Sequence, residues 1–506
     1  MKIKFILLCS IFAISFASCS QDELSQNNSG LLSAERQFNQ STLDNNDALL
    51  PFAKALYYAM KESPKLREMI KKESLEKFNK EYETLYQFIK DEKVENGLSV
   101  RDLLLKYFNN EESLAAIESN HPTLTLHIPI LPKGSFSAEI WNTKEQVPAV
   151  AIHPINCLNT ILVAETGQYD NIKEEFVIEA GYIPAFPVVV LKDNNRVVVS
   201  QNVSSKYPAL NNKSSDYVFD FIDDYFDGSI EEENEVSLRQ YSFAQNTIDS
   251  KVINAYNIFG TSNSYWQRDH IYYNLTTSTT TGTISSNYSE CIYAFSFSNN
   301  YSPQQVLNQI IYPGVDPSFL PNGSWPWSAG QFNFRITAEI ASQTYPTSTT
   351  KLFAAYPEEL FSVTWTKQGN IFYNTLAGFN AKEINLPLFT WNLGYYSHGM
   401  KIAIWKVNQS GTATSSYTLT TGYATNVSYT NKDGFTFGST TSSSVAISIG
   451  RQYNISDIYL GDAVVSFGDP VITGSQYNSI KQQMYYNLKE YTTGICIFML
   501  TPKKQY

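Results

Sequence analysis

The chain of 506 residues is short of cysteine, histidine and basic charge. Its five cysteines, Cys9, Cys19, Cys157, Cys291 and Cys496, are too few and too dispersed for a disulfide framework or a thiolate metal site. Five histidines leave little for metal chemistry, and no His-Glu-x-x-His occurs. His121 and His127 would share one face of a strand but stand about 20 Å apart along it, beyond the reach of one ion. The sequence therefore implies no cofactor and no metal. With 37 basic against 48 acidic residues the net charge is −11. That excludes nucleic acid as a partner, because phosphate backbones demand clustered Lys and Arg. After the first twenty residues no apolar run approaches the length of a membrane-spanning helix. Gly-x-Ser-x-Gly, phosphate-loop and dinucleotide glycine patterns are missing too. Ser74-Leu75-Glu76-Lys77 matches Ser-x-x-Lys only by chance, in a charged helical stretch without partner motifs.

What is present begins at the N-terminus. Met1-Lys2-Ile3-Lys4 supplies positive charge, Phe5 to Phe16 is almost continuously apolar, and Ala17 and Ser18 are small. Followed by Cys19, this leader resembles the lipobox of bacterial lipoproteins. The resemblance implies removal of residues 1–18, which moves the net charge to −13 because Lys2 and Lys4 leave with it. It also implies a lipid on the Cys19 sulfur that ties the chain to a membrane. Ser20-Gln21-Asp22-Glu23 is similar to the surface-export signal of lipoproteins in Bacteroidota-type bacteria. That similarity implies an outer-membrane anchor with the chain facing the cell exterior, and the periplasmic face is the alternative. Trp266 to Asn274 and Tyr459-Leu460-Gly461-Asp462 to Ile472 look like stretches of poorly characterised lipoproteins of that group, a likeness that brings no activity.

Residues 19–46, rich in Ser, Asn and Gln, predict a flexible tether. Helix signals follow: Asp47 ahead of Phe52, Leu56 and Met60, Ser63-Pro64 ahead of Leu66, and Ser99 ahead of Val100 to Phe108. From His121 the pattern turns to short β-rich runs at Thr123–Ile130, Phe136–Trp141, Val147–Ile152 and Thr160–Ala164. Val188–Leu191 and Val197–Val199, separated by Asp193-Asn194-Asn195, predict a hairpin. Residues 47–212 thus predict an α+β domain with helices first and antiparallel strands after. Residues 213–252 form an acidic run that predicts a solvated linker. Asp223, Asp227 and Gly228 fit positions 1, 5 and 6 of a calcium loop, but Tyr225 and Asn234 break the pattern. Residues 253–506, poor in charge and rich in Tyr, Phe, Thr and Ser, predict an all-β, sandwich-like domain.

Aromatic surfaces are the main candidates for function. Trp325 and Trp327 lie in a turn-rich segment, and Trp391 is followed by Tyr395 and Tyr396. Rings of this kind offer flat platforms to sugars and anchors to proteins. Asp269-His270 is a dense polar pair among aromatics. On a strand its members would face opposite sides, so they do not predict a catalytic dyad. His153 and Cys157 fit no known nucleophile arrangement. The Ser/Thr-rich stretch 417–449 alternates Tyr417, Leu419, Tyr423 and Val427 with small polar residues, and Asn431-Lys432-Asp433-Gly434 predicts its reversal. It looks like the insertion hairpins of aerolysin-like toxins. The leading expectation is a cell-surface lipoprotein that binds an extracellular glycan or protein without catalysing a reaction. The alternatives are a β-hairpin pore-former and a hydrolase with an unrecognised site.

Overall fold

A computed structural model describes residues 38–39 and 48–505, except 154–158, 166, 169–173, 180, 201–206, 208–209, 211–212, 214–215, 228–235, 238–241, 263, 280–281, 312–326, 329, 343–346, 408–413, 425–428, 431–435, 438–443 and 455–456. Cys19, the export signal Ser20 to Glu23, the tether apart from Phe38–Asn39, Asp47, Cys157 and Trp325 lie outside the described residues; Phe38 and Asn39, expected in a flexible tether, instead pair with Ile178 and Val177. The fold is mixed, dominated by strands in several antiparallel sheets, with helices gathered towards the N-terminal part.

Helix α1 (Leu50–Glu62) begins after Leu49, which caps it with no side-chain hydrogen bond, whereas α2 (Pro64–Leu75) forms where Ser63-Pro64 puts it. α1 buries Phe52, Leu56 and Met60 on one stripe. Ser63 ends α1 and starts α2, its hydroxyl accepting from Leu66 N at 3.1 Å, with Pro64 in the first turn. A one-turn helix, α3 (Tyr86–Ile89), follows. In α4 (Val100–Leu105) Ser99 and Asp102 cap each other reciprocally at 3.0 and 2.8 Å. α5 (Glu111–Asn120) is capped by Asn110.

These helices accompany a seven-stranded sheet of β1 (Phe38–Asn39), β2 (Glu83–Leu85), β3 (Leu124–His127), β4 (Ala149–Ile152), β5 (Thr160–Val163), β6 (Glu175–Ile178) and β8 (Val188–Asp193). Its order is β1-β6-β5-β4-β8-β3-β2. Every neighbouring pair is antiparallel except β4 and β8, which are parallel. Two expectations are corrected. Phe136–Trp141 is irregular backbone, not a strand; it buries Phe136 and Trp141 edge to face, 5.9 Å apart, so both rings reach the core without a ladder. β8 and β9 (Val197–Val199) do not form a hairpin, since β9 pairs with β10 (Phe219–Phe221). The reason is Asn194. Its side-chain Oδ1 accepts from Arg196 N and Val197 N at 2.8 and 3.0 Å, and its side-chain Nδ2 donates to Glu83 and Thr125 at 3.0 and 3.2 Å. Pinned to β2 and β3 from inside, the turn sends the chain out of the sheet.

The C-terminal part holds a five-stranded sheet of β11 (Val236–Ser237), β18 (Ala381–Phe389), β13 (Tyr288–Phe297), β28 (Cys496–Lys504) and β27 (Glu490–Thr493). A four-stranded sheet runs β15 (Thr347–Ala355), β14 (Phe332–Ser342), β19 (Tyr396–Val407) and β24 (Ile458–Ser466). A third sheet joins β12 (Ser242–Ala244), β26 (Gln483–Leu488) and β25 (Ile472–Asn478), and a fourth joins β16 (Phe361–Gln368), β17 (Ile371–Phe379) and β7 (Ile183–Pro184). Two ribbons pair β20 (Thr414–Ala424) with β23 (Ser444–Asn454) and β21 (Tyr429–Thr430) with β22 (Thr436–Phe437). The predicted reversal, 431–434, falls between β21 and β22 and outside the described residues.

The span expected to be all β also contains α6 (Ser250–Phe259), α7 (Gln267–Tyr273), α8 (Pro303–Ile310) and α9 (Pro357–Leu360). Asp269 and His270 therefore sit on a helix, not a strand. Their run lacks β-branched alternation, and its left-handed C-cap, Asn274, ends a helix. The acidic run is packed where it is described. Phe219 and Phe226 are fully buried, because aromatics interleave with the acids and take the inward positions. Asp223 caps a 3-10 turn by accepting from Tyr225 N at 2.9 Å.

One continuous hydrophobic cluster runs through both parts, and β7 of the first pairs with β17 of the second. Buried Arg196 bolts them together. It donates to Asn79 O (2.8 Å), Glu81 Oε1 (3.3 Å), Gln331 Oε1 (2.9 Å) and Asn333 Oδ1 (2.8 Å). Tyr356 Oη donates to the other Glu81 oxygen at 3.0 Å. Gly330, at φ +86°, passes so close that a Cβ would lie 2.7 Å from Glu81 Oε1. Among the described residues no helix is long and apolar enough to cross a membrane.

Candidate functional site

The four described aromatic candidates separate into different environments. Trp327 is half-buried against the core, and the hydroxyl of its buried neighbour Ser328 lies 3.2 Å from His153 Nδ1. Trp391 is corrected from a surface ring to a core ring: it is fully buried. Tyr396 is partly buried, 5.6 Å from Phe389. Tyr395 alone of the described four stands out, with 65% of its surface exposed.

Trp391 is nevertheless part of the site, because it shapes the turn that offers Tyr395. Strand β18 ends at Phe389 and the chain turns through Thr390 to Tyr395 before entering β19. Asn392 O accepts from Tyr395 N and Tyr396 N at 3.0 and 2.9 Å, and the Asn392 side-chain oxygen accepts from Gly394 N at 2.9 Å. Tyr273 Oη accepts from Leu393 N at 2.8 Å. The Trp391 indole N–H donates to Ser397 O at 2.8 Å, fastening the far side of the turn. The turn is thus held by its own backbone and by α7, so Tyr395 is displayed with little left to order on binding.

A buried polar network supports it from below. The Arg268 guanidinium lies 5.7 Å from the Trp391 ring, and Phe467 meets that ring edge-on at 5.3 Å. Arg268 binds both carboxylate oxygens of Glu290, the shortest contact being 2.6 Å from Nη2, and donates from Nη1 to Asp469 O at 2.7 Å. Tyr272 Oη donates to Glu290 at 3.1 Å, and Tyr491 Oη donates to the Asp469 carboxylate at 3.0 Å. Burial opposes the Arg268 charge, yet the Glu290 carboxylate holds that guanidinium above its ordinary range. Burial first, and Glu290 second, push the Tyr272 phenol well up. Neighbouring Gln267 accepts from Val471 N and Ile472 N at 2.9 and 2.8 Å and donates to Ile472 O at 2.9 Å, tying α7 to the start of β25.

Asp269 and His270 are not a catalytic dyad. His270 Nδ1 lies 2.9 Å from Leu275 O and Nε2 lies 3.1 Å from Asn254 Nδ2. Burial pushes the Asp269 carboxyl up to about 8, and its Oδ2 has no hydrogen-bond partner. His121 and His127 have separate partners: His121 Nδ1 is 3.0 Å from Asp193, while buried His127 faces Glu83 at 3.4 Å. Among the described residues no group of three or more His, Cys, Asp or Glu side chains is placed to hold a metal ion. Cys291 and Cys496 are buried, and burial raises both thiols, Cys291 to about 12, so neither presents a thiolate.

The aromatic cluster after Trp391 was visible in the sequence, but its division into support and display was not. The Arg268–Glu290 pair had one faint signal. Each is one of the few strong charges of its sign in the charge-poor half, a pattern that suits a buried pair. Compared with known protein families, curated proteins and solved structures, the chain matches none.

Proposed function

We propose that the protein is a lipid-anchored, outward-facing lipoprotein whose C-terminal part is a non-catalytic binding module for an extracellular glycan or protein. The leader up to Cys19 and Ser20 to Glu23 carry the anchoring and export. A sandwich-like arrangement of the C-terminal sheets has support in their shared aromatic core. Phe295 of β13 lies 5.1 Å from Phe334 of β14 and 5.0 Å from Phe353 of β15. The observation that carries the binding role is the Tyr395 turn, an exposed ring on a pre-organised backbone backed by a buried tryptophan. A ring that contributes as an interface anchor is worth about 2 kcal/mol, or roughly thirtyfold in affinity.

Glycan arrays and pull-downs with the full chain test this. Tyr395→Ala should remove binding with the melting temperature unchanged, and Trp391→Phe should weaken it through loss of the Ser397 bond. Binding that survives Tyr395→Ala would remove the turn from consideration.

A second function, insertion into membranes as a β-hairpin pore-former, is favoured by the β20–β23 ribbon. Eleven consecutive residue pairs run from Thr414 opposite Asn454 to Ala424 opposite Ser444. Tyr417 stands opposite Arg451, Leu419 opposite Ile449 and Tyr423 opposite Val445, with Thr418 opposite Gly450 and Thr420 opposite Ser448 between them. Eleven residues is the length of a membrane-spanning strand. Between Val407 and Asp457 the charged residues are Lys432 and Asp433, in the predicted reversal, and Arg451. Dye release from liposomes, lost when Leu419 and Ile449 are both changed to Asp, tests it. Intact liposomes at every protein concentration would end this reading.

A further inference from the structure

The β25–β26 hairpin carries the most exposed aliphatic side chain among the described residues' large hydrophobics. Ile480 is 92% exposed at the tip and Tyr477, at the end of β25, is 61% exposed. The tip is not a loose loop. Asn478 Oδ1 accepts from Ile480 N and Lys481 N, both at 3.0 Å, and Gln482 adopts φ +51° to re-enter β26. Behind the tip, β26 continues into the third sheet, where Tyr486 is buried opposite Phe243 of β12. The hairpin therefore holds Ile480 out on a fixed backbone rather than letting it fold back.

Its charge is unusual for this chain. From Pro470 to Lys489 no residue is acidic, and Lys481 and Lys489 are the charged ones, although the chain as a whole carries −11. An apolar tip residue, a flanking tyrosine and an adjacent lysine make the composition that settles at a bilayer surface. The aliphatic group enters the boundary of the acyl chains, the phenol stays at headgroup level and the ammonium meets lipid phosphates. Two tip N–H groups already bonded to Asn478 add to the fit, because entry into a water-poor layer would not strand them. A protein partner would equally cover Ile480, but nothing in that fit calls for a preformed, acid-free tip beside a lysine.

We propose that the tip formed by Tyr477, Ile480 and Lys481 is a contact site for a phospholipid surface, independent of the Tyr395 turn and of any lipid at Cys19. The test uses the chain from Ser20 onward, lacking the apolar leader and Cys19, so that sedimentation with vesicles reads the body of the protein alone. Vesicles of phosphatidylcholine with phosphatidylglycerol should bind it, and Ile480→Asp should lower the bound fraction at least about tenfold. Ile480→Trp should raise binding. Lys481→Ala should lower it on vesicles containing phosphatidylglycerol and leave it unchanged on phosphatidylcholine alone. Because Ile480 packs on nothing, the melting temperatures of these variants should match that of the parent. Failure of the parent to bind either vesicle would overturn the proposal, as would equal binding by Ile480→Asp. Self-association of the parent that Ile480→Asp abolishes, without vesicle binding, would assign the tip to a second copy of the chain instead.

Discussion

Replacing Glu290 by Gln should be among the most damaging single changes in the C-terminal part, although the two side chains have nearly the same volume. Arg268 and Glu290 are both wholly removed from solvent and face each other through paired contacts, the shortest 2.6 Å. Taking the charge from Glu290 leaves a guanidinium in the interior with only the Asp469 carbonyl and an amide to satisfy it. Breaking a buried pair in this way costs about 3–5 kcal/mol. The lower end applies here, because Asp469 O remains 2.7 Å from Nη1 and the glutamine carbonyl can still accept. About 3 kcal/mol is a large share of the ~5–15 kcal/mol that separates folded from unfolded states. Urea unfolding followed by tryptophan fluorescence is the assay, since Trp391 lies over the Arg268 guanidinium and reports its surroundings. The double variant Arg268→Met/Glu290→Leu should recover most of the loss, because an apolar pair of similar bulk carries no desolvation penalty. A single variant that loses under about 1 kcal/mol, or a double variant worse than the single, would refute the reasoning.

Asp269 gives a pH prediction of defined sign. Its carboxyl is raised to about 8 in the folded chain, far above the ordinary value near 4 in the unfolded one, so between those values the folded state holds the extra proton. Stability should be greatest below about pH 4 as far as this group is concerned. It should fall by up to roughly 1.4 kcal/mol per unit as the pH rises towards 8, then level off. Asp269→Asn should abolish that slope, as urea titrations at pH 6 and pH 8.5 would show; an unchanged slope would acquit the residue. At the joint between the two parts, Arg196→Met should leave the buried Glu81 carboxylate with only the neutral donors Tyr356 Oη and Gln331 N and cost about 3 kcal/mol, read as a lowered urea midpoint. Gly330→Ala should destabilise by at least about 1 kcal/mol, since it combines a positive φ with a clash at Glu81. Ser63→Ala should cost about 1 kcal/mol through loss of the α2 cap, measurable by thermal unfolding.

The elements that were legible in the sequence are those whose cause is local. Ser63-Pro64 and Ser99 start helices because a hydroxyl and its own first turn suffice, and β20 and β23 alternate because a pleat does. The misreadings share a different origin, which is contact between residues far apart in the chain. Asn194 looks like a hairpin turn until its amide is seen to reach Glu83 and Thr125 on other strands. The run Phe136–Trp141 reads as β-rich, but its terminal rings pack on each other edge to face instead of taking opposite faces of a strand. Trp391 and Tyr395 are equally aromatic on paper, and only Arg268, Phe467 and Tyr273, supplied by distant segments, decide which one is buried. The candidate site was therefore half visible: its rings could be read from the sequence, their division of labour could not.

The route of the chain around the β20–β23 ribbon has a further consequence. The polypeptide leaves the four-stranded sheet after Val407 and comes back at Ile458, which is the register partner of Lys406. Its exit and re-entry are thus already neighbours, a few ångströms apart across a ladder. Everything from 408 to 456 is topologically an excursion, and β19 could be joined to Asp457, which pairs with Arg335 of β14, by a short turn in its place. Such an arrangement lets the excursion be lengthened, exchanged or lost without disturbing the sheet that carries it. Replacing 408–456 by a short turn should therefore leave the β19–β24 ladder in place.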